Sequence, residues 1–313
     1  MSDVLIENVM NALAAGLIIG CLYGLMCVGL GLIFGIMKIV NFAQGELLML
    51  GMFIAFYTVS AFGFLGVAAP FAAALLAGPV LFVGGAGLHR FLIARVSGLR
   101  TQGTLDEGSF GQLIVTLGVS LVLQNLGQIA FGSTPRSVLT PLASRAFIIG
   151  PIVGDATLFL NKARVAACVV SIVVAGGLYL LMERTQLGRS LRAAADNPTA
   201  ATYMGIDVDR AYRIAFGLGA AITAIAGGLM ATYLSFTPFI GFDYVIIMYS
   251  GVVLGGMGSI LGAFWGGMAV GFVQQVSALV LPPQLQNAAI FVVFLLIVTL
   301  RPQGFFGRSA ERA

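Results

Sequence analysis

Apolar residues run along this chain in stretches that are too long for a soluble fold, and short polar segments separate them. No Asp, Glu, Lys or Arg occurs between Glu46 and Arg90, nor between Asp243 and Arg301. About 20 apolar residues are enough to span a bilayer core, so each of these stretches holds two or more passes. The strand alternation of a membrane barrel is absent. We predict an all-α, polytopic transmembrane protein that forms a single domain over residues 1–313.

The apolar segments predict about eight to nine membrane passes. The first of them, 9–37, is long for one pass and rich in glycine, which favours a broken or bent helix. The C-terminus lies on the cytoplasmic side only if 244–281 forms a hairpin or a re-entrant pair. The other predicted passes are 40–62, 65–88, 110–131, 163–182, 213–235 and 286–300.

Two hydrophobic segments are interrupted in a similar way, the first after Lys38 and the second at Gly255. Broken helices persist in a membrane only where protein or a cavity satisfies the freed backbone groups, and paired breaks in two halves indicate a translocation site. We therefore predict broken or re-entrant helices, an inverted repeat and a solute pathway at the two breaks. The candidate pathway residues are Asn41, Gln44, Gly45, Glu46, Gly255, Gly256, Gly258 and Ser259.

Each break also has a purely structural interpretation. A carboxylate in a membrane segment is a functional hypothesis by default, so Glu46 could contact the solute. It could equally cap the helix that starts near Asn41, by accepting backbone N–H bonds. Lys38 is the nearest candidate for a charge partner. The glycine cluster at the second break could serve close helix packing alone.

Composition and charge support the membrane assignment and set its orientation. Hydrophobic residues make up 59% of the chain, charged residues 9%, and the mean hydropathy is +1.03. Arginines concentrate around 90–100, 184–213 and 301–312, which the positive-inside rule places in the cytoplasm. The less basic loop 132–164 is then outside. The basic balance reflects this loop bias, and no nucleic-acid partner is predicted.

The polar loop GRSLRAAADNPTAATYMGID, 188–207, reads as two short helices. Arg189, Arg192 and Asp196 fall on one face of the first helix, and Leu187, Leu191, Ala194 and Ala195 fall on the other. Asn197-Pro198 predicts an N-cap and a first helical residue, and Gly205 predicts the end of the second helix. An alanine-rich face lets another surface approach closely, so we expect a docking role. The alternative is a solvated connector.

Three motifs, in the expected order, resemble the membrane permease subunits of branched-chain amino acid ABC importers. The resemblance extends over nearly the whole chain, although the third motif is shared with related sugar permeases. Many family members have His at the position of Gln44. The motifs are VNFAQGELLMLG at Val40–Gly51, ERTQLGRSLRAAADNPTAATYMGID at Glu183–Asp207, and VVLGGMGSILGAFWGG at Val252–Gly267.

The resemblance implies a multi-pass permease of the bacterial inner membrane with several partners. These are a second homologous permease subunit, two ATP-binding subunits and a periplasmic binding protein. It implies a cytoplasmic coupling loop, 183–213, that fits a cleft on the ATP-hydrolysing subunit. No cofactor is expected on this chain, because ATP is bound by the separate subunits and GGMGS lacks the ending of a phosphate-binding loop. The coupling residues are Gly188, Arg189, Leu191, Arg192, Ala193, Ala194, Ala195, Asp196, Asn197, Pro198 and Gly205.

Other functions remain open at this stage. The family also includes importers of urea, short amides and aromatic compounds. A stand-alone secondary carrier would suit the broken helices, but not the long, capped cytoplasmic loop. An enzyme is not expected, since a single His assembles neither a catalytic group nor a metal site.

Overall fold

A computed structural model describes residues 2–62, 66, 68–96, 105–138, 142–153, 156–301 and 303–307. These residues are largely helical, as the hydrophobic pattern predicts. Arg100, Arg308 and Arg312, three of the arginines used to orient the chain, lie outside the described residues. The elements are α1 Ser2–Met37, α2 Gln44–Ala61, α3 Ala69–Leu88, a π-helical turn His89–Ile93, α4 Ala94–Val96, α5 Leu105–Phe131, β1 Ala146–Val153, β2 Ala156–Asn161, α6 Lys162–Arg184, α7 Gln186–Asp196, α8 Pro198–Tyr203, α9 Val208–Met230, α10 Ile240–Gly255, α11 Ile260–Ser277 and α12 Pro283–Leu300.

Seven helices in the described residues are long and apolar enough to cross a membrane, and α10 and α12 are shorter apolar helices. Together they agree with the predicted eight to nine segments, so the polytopic helical fold is confirmed. The inverted repeat stays a prediction. The seven spans are Leu5–Met37, Gln44–Ala61, Ala69–Val96, Gly111–Phe131, Lys162–Arg184, Val208–Met230 and Ile260–Ser277.

The first membrane helix is continuous from Ser2 to Met37, so the predicted break within 9–37 is wrong. Its glycines serve close packing instead. A Cβ at Gly20 would lie 3.1 Å from the Cα of Met268, and one at Gly24 would lie 2.9 Å from the ring of Phe264. Small residues allow two membrane helices to approach closely, and here they bring α1 against α11. The chain breaks only after Met37.

The helices differ in how much of their surface this chain covers. Most of α1 and of α9 is buried, and the two helices pack against each other. α11 lies along α1, while α2 and α3 lie along α9. Only a small part of α5 and of α6 is buried, so both helices lie at the edge of the bundle.

The loop between α5 and α6 contains a β-hairpin that the hydropathy pattern did not predict. β1 and β2 pair antiparallel, with Ala146 opposite Asn161 and Ile149 opposite Leu158. The hairpin also contacts the start of α1, where the Thr157 hydroxyl donates to Glu7 Oε1 at 3.0 Å. The amino end of α1 therefore lies at the same end of the bundle as the hairpin.

Candidate solute pathway and coupling surface

The first break is a short turn, 38–43, that is held by its own side chains. Lys38 adopts φ 56°, the only positive φ of a non-glycine residue in the described ranges. Asn41 Oδ1 accepts a bond from the Ala43 amide at 3.2 Å, and its Nδ2 donates to Gln44 Oε1 at 2.9 Å. An Asn side chain that bonds the backbone two residues later stabilises such a turn. Asn41 therefore closes the break locally.

Gln44 connects this break to α9. Its Nε2 donates to the carbonyl oxygen of Gly219 at 3.1 Å and to the hydroxyl of Thr223. Asn41 and Gln44 are both fully buried. A buried amide whose partners are all present holds its neighbours in one arrangement. These two predicted pathway residues are therefore bonded within the chain.

The structure contradicts the cap and the charge partner considered for Glu46. α2 begins at Gln44, and its N-cap residue, Ala43, makes no side-chain cap bond. Glu46 Oε1 instead accepts a long hydrogen bond, 3.4 Å, from the hydroxyl of Ser120 on α5. Lys38 is exposed and forms no ion pair within the described residues. Sequence distance was a poor guide, because the groups nearest to the carboxylate come from other helices.

The second oxygen of Glu46 is buried without a hydrogen-bond partner in the described part of the chain. The whole side chain is 1% exposed. A Cβ placed on Gly241 of α10 would lie 2.8 Å from this oxygen. Buried carboxylates are costly unless they are bonded, so this oxygen is an acceptor available to a ligand or to water.

Gly45 is a packing residue. A Cβ at this position would collide with the carbonyl oxygen of Gly241, and one at Gly241 would lie 2.7 Å from the carbonyl oxygen of Gly45. The two backbones therefore approach where α2 begins and α10 has just started. Only glycine at both positions allows this approach.

The second break is built from glycine backbone rather than from polar side chains. Gly256 and Gly258 adopt φ 98° and 97°, a region that favours glycine. Gly255 lies directly against Gly262 of α11, and the hydroxyl of Ser259 caps α11 by accepting from the Gly262 amide at 3.0 Å. The predicted interruption is confirmed, and glycine is required here by conformation and by space.

The C-terminal segment closes this break from one side. The amides of Phe305 and Phe306 donate to the carbonyl oxygens of Leu254 and Gly255 at 2.9 and 3.1 Å. The last carbonyls of a helix lack intrahelical partners, and these contacts supply them. In the described residues no hydrogen bond joins this break to the buried amides of the first one.

A cleft of about 430 Å³ connects the second break with the polar loop. Its walls come from the end of α1, the end of α6, α7, the turn 257–261 and Phe306. Arg192 and Glu183 form an ion pair of 2.9 Å at this cleft. The carboxyl end of α1 therefore lies beside α7, at the opposite end of the bundle from the hairpin.

The polar loop folds into the two short helices that the sequence predicts. Thr185 Oγ1 accepts from the Gly188 amide at 3.1 Å, and Asn197 Oδ1 accepts from the Ala200 amide at 2.9 Å. Asp207 caps α9 by accepting from the Arg210 amide at 2.9 Å. α8 ends at Tyr203, and Gly205 follows with φ 82°. Side-chain caps of this kind separate helices within a few residues.

Much of the face of α7 that was expected to receive a partner is covered by this chain itself, although Leu187 at its start is 38% exposed. Leu191 is 1% exposed and Ala194 is not exposed at all. Gly188 lies against the backbone of Met182, and the hydroxyl of Tyr212 donates to the Ala194 carbonyl at 3.4 Å. The prediction that the alanine face accepts another protein is therefore wrong for Ala194. Small residues are needed because α7 packs against the ends of the membrane helices.

The exposed part of the loop lies at the end of α8. Tyr203 is 85% exposed and Met204 is 83% exposed. Two large apolar side chains at the tip of a polar loop are unusual on a solvated connector. Four polar residues are also exposed on the same loop: Arg189, Asp196, Asn197 and Thr199. This tip is the available contact surface.

Comparison with known proteins assigns the family. A profile for "Branched-chain amino acid transport system / permease component" matches residues 12–300. The chain belongs to this family. It is 30% identical to the high-affinity branched-chain amino acid transport system permease protein BraD of Pseudomonas aeruginosa, over 97% of both chains. It is 28% identical to the corresponding LivH protein of Escherichia coli K12 over 94% of both chains, and 30% identical to a probable LivH of Methanocaldococcus jannaschii over 79% of this chain and 74% of that protein. No solved structure matches the chain significantly.

As a member of this transport family, and not of an enzyme family, the permease is a multi-pass protein of the inner membrane. Sequence reasoning missed two features of its candidate sites. The hydroxyl of Ser120 approaches Glu46 from α5, and the apolar tip of α8 is the exposed part of the loop. A four-residue repeat of polar side chains on α5 would have drawn attention to Ser120. The burial of one face of α7 depends on helices that are remote in sequence.

Proposed function

We propose that this chain is the membrane-spanning subunit of an ABC importer and that it translocates branched-chain, aliphatic amino acids. Family membership over residues 12–300 carries the proposal, together with the high-affinity branched-chain amino acid systems named for its relatives. A periplasmic binding protein delivers the solute. Two ATP-binding subunits drive transport, and a second, homologous permease subunit completes the membrane part. This chain binds no ATP and performs no hydrolysis.

The buried polar groups of the membrane region suit such a solute. Glu46 offers one carboxylate, with an oxygen that has no partner among the described residues, inside an otherwise uncharged apolar region. A zwitterionic solute carries an ammonium group that such an oxygen attracts strongly where water is excluded. The aliphatic side chain of the solute requires only apolar surroundings. Asn41 and Gln44 support this position by holding the break closed.

The coupling contact, in this proposal, is the tip of the loop and the exposed face of α7. Tyr203 and Met204 enter a cleft on the ATP-binding subunit, with Arg189, Asp196 and Asn197 around them. Gly188, Leu191 and Ala194 transmit the movement, because they fasten α7 to the ends of the membrane helices. Arg192, Ala195 and Asp196 border the cleft beside the second break, and Ala193 lies between them on the same helix. In this proposal motion of α7 changes the cleft that it shares with Gly258 and Ser259, and reaches the second break through α1, against which α7 packs.

Import by a reconstituted system tests the proposal. The chain is expressed with the permease, ATP-binding and binding proteins encoded beside it, and the complex is placed in liposomes that contain ATP. We expect ATP-dependent uptake of radiolabelled leucine, isoleucine and valine that requires the binding protein. Urea, acetamide and benzoate serve as competitors. Uptake without ATP or without the binding protein would contradict an importer and favour a secondary carrier.

A further inference from the structure

α5 carries a regular series of polar side chains that winds along a largely apolar membrane helix. The series repeats every four residues, so each member lies about 40° around the helix from the one before, and the last lies about 160° from the first. From first to last it covers roughly 24 Å at 1.5 Å per residue, most of the thickness of a bilayer core. This polar ladder consists of Gln112, Thr116, Ser120, Gln124 and Gln128.

The middle of the polar ladder faces the first break. Thr116 Oγ1 lies 3.3 Å from the carbonyl oxygen of Val40, which immediately precedes Asn41. Ser120 donates to Glu46 Oε1. Further along, a Cβ at Gly127 would lie 3.0 Å from the Met49 methyl. Thr116 and Ser120 therefore face the first break and the beginning of α2, and α5 continues alongside α2 as far as Gly127.

The opposite side of α5 is apolar and uncovered. Val122 is 57% exposed and Ile129 is 82% exposed, as expected for side chains that meet lipid. Gln124 is partly exposed and Gln128 is exposed, and neither has a hydrogen-bond partner within the described residues. An unpaired amide in hydrocarbon costs several kcal/mol, so these side chains need water, a solute or another polar surface.

Glu46 supplies an independent observation at the centre of the polar ladder. Its side chain is 1% exposed, and Oε2 has no partner among the described residues. One carboxylate beside a row of neutral amide and hydroxyl donors complements an ammonium and a carboxylate carried by one small molecule. The row contains no cation that would hold such a molecule tightly.

We propose that the polar ladder of α5, together with Glu46, forms one wall of the route along which a zwitterionic solute passes the first break. None of the ladder residues belongs to the pathway set that the interrupted segments indicated. That the solute is a zwitterion rests on the proposed function. The position of the route is argued from the structure alone. The second break then serves movement and does not line the route.

Thiol reactivity along α5 tests this route. Cys21, Cys27 and Cys168 are first replaced by alanine, so that no other thiol reacts. Single variants Gln124→Cys and Gln128→Cys are compared with Val122→Cys and Ile129→Cys, which lie at similar depth on the apolar side. The assembled importer in membrane vesicles is treated with a charged, membrane-impermeant methanethiosulfonate. Labelling after denaturation confirms that each variant is present.

Ladder thiols are expected to react at least about tenfold faster than the two controls, because a thiol surrounded by lipid does not ionise. Their modification should also abolish leucine uptake. Equal rates on both sides, or ladder thiols that react only after denaturation, would overturn the route and indicate a dry contact with another helix. A preserved labelling difference without leucine uptake would support the route and reject the solute. Normal leucine uptake without a difference in labelling between the ladder and control thiols would support the solute and reject the route.

Discussion

The two helix breaks look alike in the hydrophobic pattern, yet different chemistry builds them. The first break is closed by buried side chains, with Asn41 bonded to Gln44 and Gln44 bonded to α9. The second is closed by backbone, with Gly256 and Gly258 at positive φ and the amide of Phe306 bonded to Gly255. Side-chain networks define one arrangement, whereas glycine turns permit several.

This difference suggests a division of labour between the breaks. The first lies beside a buried carboxylate, Glu46, in the first turn of α2. The second lies at a cleft that it shares with α7, where a coupling movement would arrive. We infer that the first break contacts solute and the second changes shape. Substitutions at the two breaks should therefore fail in different ways.

The largest expected effect is at Gly255. Gly255→Val would drive a side chain into the backbone of Gly262, which cannot move aside without displacing α11. We expect the free energy of unfolding to fall by about 3 kcal/mol, with loss of the assembled complex. Gly176→Val on α6 is the matched control, since a Cβ there meets nothing within 4 Å. Thermal melting of the purified proteins measures both, and equal melting temperatures would contradict the packing role.

Gln44 should give the next largest effect. Gln44→Leu leaves the Gly219 carbonyl and the Asn41 amide without their bonds, which destabilises the protein by about 2 kcal/mol. Gln44→His retains a donor and should keep most of the stability. Chemical denaturation of the two variants checks the order. If Gln44→Leu and Gln44→His are equally stable, the hydrogen bonds of Gln44 do not define the first break.

Glu46 should separate solute contact from folding. Because it accepts no backbone cap bond, Glu46→Gln should assemble normally and keep its basal ATP hydrolysis. Uptake of leucine should fall about tenfold or more, as expected when one charge-assisted bond to an ammonium group is lost. Leucine uptake and assembly of the complex are measured on the same preparation of the variant. Unchanged uptake by Glu46→Gln would remove the carboxylate from the account.

Substitution of Lys38 should give the smallest effect on stability, and replacement by glycine should stabilise the protein. The backbone at Lys38 is left-handed, with φ 56°, where a side chain costs roughly 1–2 kcal/mol. Lys38→Gly removes this strain and should raise the melting temperature slightly without a change in uptake. Lys38→Val, with a branched side chain in the same conformation, should lower it. A lower melting temperature for Gly than for Val would contradict this view of the turn.

Local patterns were sufficient for much of the fold. The breaks after Met37 and at Gly255, the cap at Asn197 and the end of the second loop helix before Gly205 follow from neighbouring residues, and all agree with the structure. Long-range contacts were not predictable in this way. The buried face of α7 depends on contacts with α9, and the group that approaches Glu46 comes from α5. Periodicity within one segment does not predict contacts with helices that are remote in sequence.

The most direct measurement of the central claim is solute-dependent ATP hydrolysis by the assembled complex when the loop tip is altered. Tyr203→Glu with Met204→Glu should leave the membrane part folded and leucine binding by the periplasmic protein intact. It should abolish leucine uptake and the stimulation of ATP hydrolysis, since two acidic side chains would replace the exposed apolar contact. Ile148→Glu, an equally drastic change at an exposed site on the hairpin, is the control and should retain both activities. Normal stimulated hydrolysis and uptake with both acids in place would contradict the coupling role of this loop.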